Sequence, residues 1–363
     1  MLSIIAPVYN EAGNLPTFIK AISNSLSEIE HEIIIVDDNS PDGTGKLADE
    51  LAKEYDTIRV IHRAGKLGVA SAIAEGVTVA RGEVIGTINS DMQQPPELLP
   101  VMLEQIGEHD IVIGSRFVAG GHNEEVLWRR VVSKGAITMA RVLLPQIRNV
   151  KDPVAGFFLF KREVVADAQM SPESLSGNVS IGIKFLPLLL VKGCYNSVIE
   201  VPYTFTRRKS GKSKFALRDY FKYIRFVLNL MKTSGEFKRV AKFCLIGGSG
   251  FATNMGLFIL LTDKLDLYYR VSAICSWEIT MIYMFIMNEL WTFRDLRRSG
   301  TFNAFKRFLK FNILRLPNQA IIQATLLILT TLLGIQGYIS NMIGIMIVMV
   351  WNYLASVNII WRK

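Results

Sequence analysis

The sequence lacks the glycine-rich signatures of the common nucleotide-binding folds. Its first strand is not followed by Gly-x-Gly-x-x-Gly, and Gly-x-x-x-x-Gly-Lys-Ser/Thr does not occur. These absences argue against a dinucleotide-dependent oxidoreductase and against a P-loop enzyme. There are only three cysteines in 363 residues, Cys194, Cys244 and Cys275, and their wide spacing predicts neither a zinc site nor a disulfide framework. The four histidines are isolated, so we expect no Ser/His/Asp or Cys/His pair.

The N-terminus also lacks the basic and apolar regions of a signal peptide and is expected to be a β-strand. The chain is rich in basic and apolar residues, with a net charge of +9 and a mean hydropathy of +0.28. Many of the lysines and arginines flank long apolar runs in residues 240–361. This arrangement is typical of proteins that face anionic lipid headgroups, so we expect a bilayer and no nucleic acid as partner.

The N-terminal half alternates short apolar runs with amphipathic segments. Strands are predicted at residues 3–8, 32–36, 58–62, 83–88 and 110–114, and helices at residues 15–26, 44–55, 69–80 and 98–107. Alternation of this kind with short loops predicts a mostly parallel, doubly wound α/β sheet. The fold expected for this half is therefore Rossmann-like.

Polar loops follow four of these strands and converge on the edge of the sheet where ligands of α/β proteins bind. Each loop alone is also explained as turn or helix-cap chemistry. In the loop after the fourth strand, Asp91 and Gln93 are two residues apart and share one face of an extended segment. Their oxygens suit a hard cation such as Mg²⁺ or Mn²⁺, and an acidic turn before a helix is the alternative.

Several short motifs occur in an order that points to one family. They are Tyr-Asn-Glu at 9–11, Asp-Asp-Asn-Ser-Pro-Asp-Gly-Thr at 37–44, Gly-Lys-Leu-Gly at 65–68, Asp-Met-Gln-Gln-Pro-Pro-Glu at 91–97, Gly-Ser-Arg at 114–116 and Lys-Asp-Pro-Val-Ala-Gly-Phe-Phe at 151–158. Over about residues 1–230 the chain resembles the dolichol-phosphate mannose synthases, a branch of the family-2 GT-A glycosyltransferases. The resemblance implies inverting transfer of mannose from GDP-mannose to a polyprenyl (dolichyl) phosphate.

The resemblance also implies roles for individual residues. For the nucleotide sugar these are Pro7, Tyr9, Glu11, Val36, Asp38, Asn89, Ser90, Asp91, Arg116, Lys184, Arg208 and Lys214. For the acceptor phosphate they are Arg116, Arg129 and Ser133, and for Mg²⁺ or Mn²⁺ they are Asn89, Asp91 and Gln93. Asp91, Gln93, Arg116 and Arg208 are the expected catalytic residues. The basic loop that holds Arg208 and Lys214 is alternatively a solvated loop that docks on headgroups.

The chain departs from the family pattern at Asn89, where the family usually has aspartate. An asparagine keeps a carbonyl ligand and removes a charge, so we expect weaker metal binding. Two alternatives to mannosyl transfer stay open, the first because the sequence does not define which nucleotide base is bound and the second because of Asn89. One is a polyprenyl-phosphate glucosyltransferase that uses UDP-glucose, and the other is a catalytically impaired protein that binds or flips lipid-linked sugars.

The C-terminal half contains four apolar segments, each long enough to cross about 30 Å of hydrocarbon. They lie at about residues 243–261, 269–291, 311–333 and 338–360, after an interfacial amphipathic helix within residues 216–235. The predicted boundaries are thus 1–215 for the GT-A domain and 236–363 for the membrane domain. Lysines and arginines flank one side of the segments, which places both termini and the GT-A domain in the cytoplasm. The motif Phe-Lys-Arg at 237–239 recurs at 305–307, which indicates two related helix hairpins and resembles a four-helix membrane family associated with lipid-linked sugars.

Overall fold

The computed structural model describes residues 1–165, 185–206, 217–296 and 300–361. The chain separates into two compact units, Met1–Leu230 and Met231–Lys363. Each unit has its own apolar core.

The first unit is built on a seven-stranded sheet. Its strands are β1 (Leu2–Val8), β2 (His31–Asp37), β3 (Ile58–His62), β4 (Val84–Thr87), β5 (Ile111–Ser115), β7 (Phe158–Lys161) and β8 (Val198–Pro202). Their spatial order is β3-β2-β1-β4-β7-β5-β8, and a second small sheet pairs β6 (His122–Asn123) with β9 (Thr204–Phe205). β7 runs antiparallel to both neighbours, whereas the other neighbouring strands are parallel. The mostly parallel α/β sheet predicted from the sequence is confirmed.

Helices cover the sheet because their apolar residues repeat at helical spacing. In α1 (Leu15–Ser25), the side chains of Leu15, Phe18, Ile19 and Ile22 form the buried face. The other helices of this unit are α2 (Thr44–Glu54), α3 (Val69–Val79), α4 (Leu99–Ile106), α5 (Leu127–Leu143) and α6 (Phe185–Lys192). A further helix, α7 (Leu217–Thr233), begins in the first unit and ends in the second. Since β1 and β2 are buried along almost their whole length, they form the centre of the core and fix the edge at which their polar loops begin.

The second unit consists of apolar helices. They are α8 (Glu236–Ile259), α9 (Tyr269–Met287), α10 (Thr301–Ile313), α11 (Asn318–Leu327) and α12 (Gly337–Ala355). With the turns that extend them they give four candidate spans, Glu236–Lys264, Tyr269–Thr292, Thr301–Leu332 and Gly337–Ile360. The four apolar helices predicted from the sequence are confirmed, and the third begins ten residues earlier than the predicted 311.

The third span is interrupted between α10 and α11. Pro317 has no N–H to donate back along the helix, and its ring crowds the preceding turn. The indole N–H of Trp351 donates to the Leu314 carbonyl at 3.1 Å and so satisfies one acceptor at the interruption.

Aromatic side chains join the basic ends of the four spans. Phe243, Phe293, Phe311, Tyr353 and Trp361 belong to one buried cluster. The ring centroids of Phe293 and Trp361 are 4.3 Å apart. The start of the first and third spans and the end of the second and fourth therefore lie at the same end of this unit.

Candidate active site

The carboxyl ends of β1 and β2 lie side by side. Pro7 is paired with Val36 in the parallel ladder, and the Asp38 backbone N–H donates to the Val8 carbonyl at 3.0 Å. The buried carboxylate of Asp38 accepts hydrogen bonds from the guanidinium of Arg63 at 2.5 Å and from the Gly68 N–H at 2.7 Å. Asp38 thus holds the Gly-Lys-Leu-Gly loop, a contact between loops that lie 25–30 residues apart in the sequence.

The loop after β1 is fixed to the start of α2. The Glu11 N–H donates to the Thr44 hydroxyl at 2.9 Å, and the Glu11 carboxylate accepts from the Asn14 amide at 2.7 Å. Asp42 accepts from the Thr44 hydroxyl at 2.6 Å and from the Ala12 N–H at 3.3 Å. Although burial opposes it, these hydrogen bonds hold the pKa of the Asp42 carboxyl below its ordinary value. The predicted nucleotide loops are therefore tied to each other.

Beside them, the ammonium group of Lys66 lies 3.9 Å from the centroid of the Tyr9 ring. This cation–π contact joins the Gly-Lys-Leu-Gly loop to the end of β1.

The loop after β4 folds back on itself around a buried glutamine. The Asn89 N–H donates to the side-chain oxygen of Gln94 at 2.8 Å, and Ser90 beside it is buried. The Gln93 N–H donates to the Asp91 carboxylate at 3.3 Å. The Gln93 side-chain amide donates to the Thr206 carbonyl at 2.9 Å, which leaves its side-chain oxygen as an acceptor.

The donor set of this loop fits a divalent cation that is shared with a substrate. It contains one carboxylate, from Asp91, and the two amide oxygens of Asn89 and Gln93. Within the described residues, no group of three or more His, Cys, Asp and Glu side chains is placed to hold a metal ion. Mg²⁺ is typically held by one or two carboxylates together with substrate phosphates, so this set suits a nucleotide-associated ion better than an all-protein site.

On the other side of the sheet edge, Arg116 is held by a buried carboxylate. Its guanidinium donates to Asp152 in a bidentate manner, at 2.7 Å from Nε and 2.9 Å from Nη2. The Arg116 side chain is 10% exposed and that of Asp152 0%. Burial alone lowers the pKa of Arg116, but the Asp152 carboxylate outweighs it and raises that pKa above its ordinary value. Two of the five guanidinium N–H donors are used in this pair.

Asp152 is itself positioned by a second carboxylate. Glu200, on β8, accepts the backbone N–H groups of Asp152 at 2.9 Å and of Lys151 at 2.7 Å. The rings of Phe117 and Phe205 both lie near the arginine, each with its centroid 5.2 Å from the guanidinium carbon. A planar cation in such surroundings has a fixed orientation.

Tyr203 connects the two halves of this edge. It is 5% exposed. Burial raises the pKa of its hydroxyl well above the ordinary value; Arg116 opposes this shift, and the charges of Asp152 and Asp91 reinforce it. The backbone N–H of Tyr203 donates to the Ser115 carbonyl at 3.2 Å, and three residues later the Thr206 N–H donates to the Gln93 carbonyl at 3.3 Å. The Asp91 loop and the Arg116–Asp152 pair therefore belong to one site.

For five of the predicted residues the structure gives only a position on a helix or no description. Arg129 and Ser133 both lie on α5. They are four residues apart, and positions four apart share one face of a helix. Lys184, Arg208 and Lys214 lie outside the described residues. The structure adds Asp152, Tyr203, Glu200 and Arg63 to the site. Asp152 lies in a motif that carried the family resemblance, whereas no sequence signal singled out Tyr203 or Glu200.

Comparison with known proteins gives matches to both units. The glycosyl transferase family 2 pattern matches residues 3–168, and the GtrA/DPMS transmembrane domain matches residues 242–361. The dolichol-phosphate mannosyltransferase of Pyrococcus furiosus is 38% identical over 362 residues, which cover 99% of each chain. The polyprenol monophosphomannose synthase of Mycolicibacterium smegmatis is 38% identical over 221 residues, covering 59% of this chain and 80% of that protein.

Among solved structures, the glucosyl-3-phosphoglycerate synthase of Mycobacterium tuberculosis, in complex with Mn²⁺, UDP and phosphoglyceric acid, matches 64% of this chain and 78% of that one. The TM-score is 0.47 and the identity 16%, and at this level the similarity carries no inference about ligands.

Proposed function

The chain belongs to the dolichol-phosphate mannosyltransferases of glycosyl transferase family 2, and from this premise we propose that it transfers mannose from GDP-mannose to a polyprenyl (dolichyl) phosphate with inversion at the sugar carbon. The observation that carries the proposal is the short segment from Tyr203 to Thr206, which is hydrogen-bonded to Ser115, next to Arg116, at one end and to Gln93 at the other. Oxygen ligands suited to a divalent cation and an arginine suited to a phosphate thus share one site.

The donor nucleotide binds at the carboxyl ends of β1 and β2. Pro7, Tyr9, Glu11, Val36 and Asp38 surround the guanosine, and Ser90 lies against the ribose and diphosphate. The hydrogen bonds from Arg63 and Gly68 to Asp38 support this assignment because they hold the neighbouring loop in place before the nucleotide arrives. Preorganisation of this kind reduces the entropy lost on binding. Lys184, Arg208 and Lys214 add positive charge at the sugar and diphosphate.

The acceptor phosphate is bound by Arg116, Arg129 and Ser133. An oxygen of this phosphate forms the new bond to the sugar carbon while the bond from that carbon to the diphosphate breaks. The phosphate is already an anion, so the reaction needs no residue to remove a proton. Asp152 contributes by holding Arg116 in one orientation, since a misplacement of about 1 Å can cost about 10²-fold in rate.

Asn89, Asp91 and Gln93 hold the divalent metal, Mg²⁺ or Mn²⁺. When bound, the ion neutralises the charge that develops on the departing diphosphate. The Gln93–Thr206 hydrogen bond supports this role, because it turns the glutamine oxygen away from the carbonyl and leaves it available to the cation.

The reaction takes place at the cytoplasmic face of the membrane. Lys238, Lys242, Arg294, Lys306 and Lys310 all flank the basic end of the four spans, and such residues are enriched on the cytoplasmic side. Both termini then lie in the cytoplasm.

The proposal is tested with the purified full-length protein in lipid nanodiscs. It is incubated with Mn²⁺, a short polyprenyl phosphate and either labelled GDP-mannose or labelled UDP-glucose. We expect a labelled mannosyl lipid. Transfer from UDP-glucose alone would establish the glucosyltransferase alternative. Retained nucleotide binding without transfer from either donor would establish the impaired, lipid-linked-sugar binding alternative, which the missing carboxylate at Asn89 favours.

A further inference from the structure

A basic cavity lies between the beginning of α8 and the end of α9 in the membrane unit. Its volume is about 560 Å³, in the range of small-molecule sites. Four cationic side chains and one carboxylate contribute to its wall. They are Lys238, Arg239, Lys242, Arg294 and Asp295, and the ring of Trp291 lies among them.

The positive charge of this cavity is only partly balanced. Arg239 is paired with Glu236 and, at 2.6 Å, with Asp295. In the described part of the chain, Lys238, Lys242 and Arg294 have no carboxylate within ion-pair distance. The three cations that have no such partner give the cavity a net positive charge, an arrangement that attracts an anion.

The surroundings indicate where the anion comes from. The ammonium group of Lys242 lies 5.4 Å from the centroid of the Trp291 ring, which is itself 43% exposed. Tryptophan and basic residues at the ends of membrane helices lie at headgroup level, and basic pockets between such helices bind lipid headgroups.

We propose that this cavity binds the phosphate of a lipid phosphomonoester. Such a group carries about −1.5 to −2 charges near pH 7, whereas a phosphodiester carries one, so the monoester better balances three cations. The choice of a polyprenyl phosphate as that lipid rests on the proposed function. The assignment of the cavity as a lipid phosphate site does not depend on it. The site would hold an acceptor molecule through residues of the membrane unit, which are not the residues proposed to react with it.

The internal repeat supplies a matched control. Lys306 and Lys310 are the counterparts of Lys238 and Lys242, 68 positions later, and they do not line this cavity. A double Lys306→Gln/Lys310→Gln variant therefore removes two positive charges at the same end of the unit but outside the site.

The experiment is native mass spectrometry of the full-length protein titrated with a short polyprenyl phosphate. We expect two bound lipids per wild-type chain, one at the transfer site and one here. The variant Lys238→Gln/Lys242→Gln/Arg294→Gln should lose one of them, with binding weakened on the order of 100-fold. The repeat control should keep both, and Lys238→Arg/Lys242→Arg, which retains the charge and guards against misfolding, should also keep both.

An unchanged lipid count in the triple glutamine variant would overturn the proposal, as would equal losses in the repeat control. In a competition experiment, phosphatidylglycerol should displace the bound polyprenyl phosphate poorly. Displacement as efficient as that by unlabelled polyprenyl phosphate would overturn the monoester assignment. Mannosyl transfer is measured on the same samples. A third result would separate the two proposals: the wild type binds a single lipid, the triple variant loses it, and neither protein transfers mannose. That result would refute the proposed function and support the lipid site in this cavity.

Discussion

The guanidinium of Arg116 and the fully buried carboxylate of Asp152 form a bidentate pair across 36 residues of sequence. Glu200 in turn holds the backbone of Asp152. A cation at the proposed acceptor site is thus fixed by a carboxylate that does not itself face the substrate. Asp152 is a positioning residue, and this distinguishes it from Arg116.

Asp152→Asn is expected to lower both stability and transfer. The substitution leaves the buried guanidinium without a counter-charge, which costs about 3–5 kcal/mol of unfolding free energy. It also frees the Arg116 side chain to change orientation, so kcat/KM for mannosyl transfer should fall by about 10²-fold or more. Thermal unfolding in detergent and the transfer assay measure the two effects.

The matched control for this change is Lys161→Gln. Lys161 pairs with Asp110 at 3.1 Å, and both side chains are partly exposed. Loss of a partly exposed pair costs about 0–1 kcal/mol, and this pair lies away from the site. A similar loss of transfer in both variants would show that Asp152 has no particular role.

Asn89→Asp is expected to strengthen metal binding. The substitution gives the Asp91 loop a second carboxylate, and carboxylate is the ligand that Mg²⁺ and Mn²⁺ prefer. The readout is the Mn²⁺ dissociation constant of the GDP-bound protein, measured by electron paramagnetic resonance without any turnover. We expect it to fall by about tenfold or more, equivalent to about 1.4 kcal/mol.

The matched control for metal binding is Asn24→Asp, which adds the same charge at an exposed position of α1. Its Mn²⁺ affinity should equal that of the wild type. Equal affinities in all three proteins would remove Asn89 from the metal site.

Glu32 is expected to make stability depend on pH in the acid range. Burial opposes ionisation, but hydrogen bonds from the Ser3 hydroxyl, the Arg81 N–H and the Arg59 guanidinium together lower the pKa of Glu32 below its ordinary value. A carboxyl whose pKa is lowered on folding stabilises the protein fully above the unfolded pKa, about 4.3. That contribution is lost as the pH falls through the lower pKa of the folded state.

Thermal unfolding of Glu32→Gln between pH 3 and 7 measures this contribution. The wild type should exceed the variant most at pH 6–7, and the difference should shrink below about pH 4.3. Glu30→Gln, at a side chain that is 79% exposed, is the control and should differ little from the wild type. A difference between wild type and Glu32→Gln that stays constant across this range would contradict the assignment.

Much of the first unit is predictable from local sequence. β2 reads as a strand because residues 33–36 are continuously apolar, and α1 reads as a helix because its apolar residues follow helical spacing. The polar loops that end these strands could be assigned to one edge, since parallel strands bring their carboxyl ends together.

Contacts between distant segments were not predictable in the same way. β7 lies antiparallel between β4 and β5, and the sequence of a four-residue strand, Phe-Leu-Phe-Lys, contains no information about which strands lie beside it. The pairing of Arg116 with Asp152 and the position of Tyr203 depend on that insertion of β7, because it determines what lies beside β5. Pro317 is present in the sequence, but it lies inside the apolar segment 311–333. Because hydropathy alone defines that segment as one continuous span, the interruption at Pro317 was not predicted.

Glu289 joins two hairpins of the membrane unit through a buried ion pair. Its carboxylate accepts from the Arg307 guanidinium at 3.0 Å and from the Trp361 indole at 2.7 Å. Glu289→Gln leaves Arg307 without a counter-charge, so we expect a loss of about 3–5 kcal/mol in stability.

The double variant Glu289→Leu/Arg307→Met removes both charges and should recover most of that loss. Glu278→Gln is the control, because Glu278 lies exposed on α9. The measurement is the temperature at which the detergent-solubilised protein ceases to elute as a single species. A double variant less stable than Glu289→Gln would contradict this account, because it would mean that packing rather than the unpaired charge is responsible.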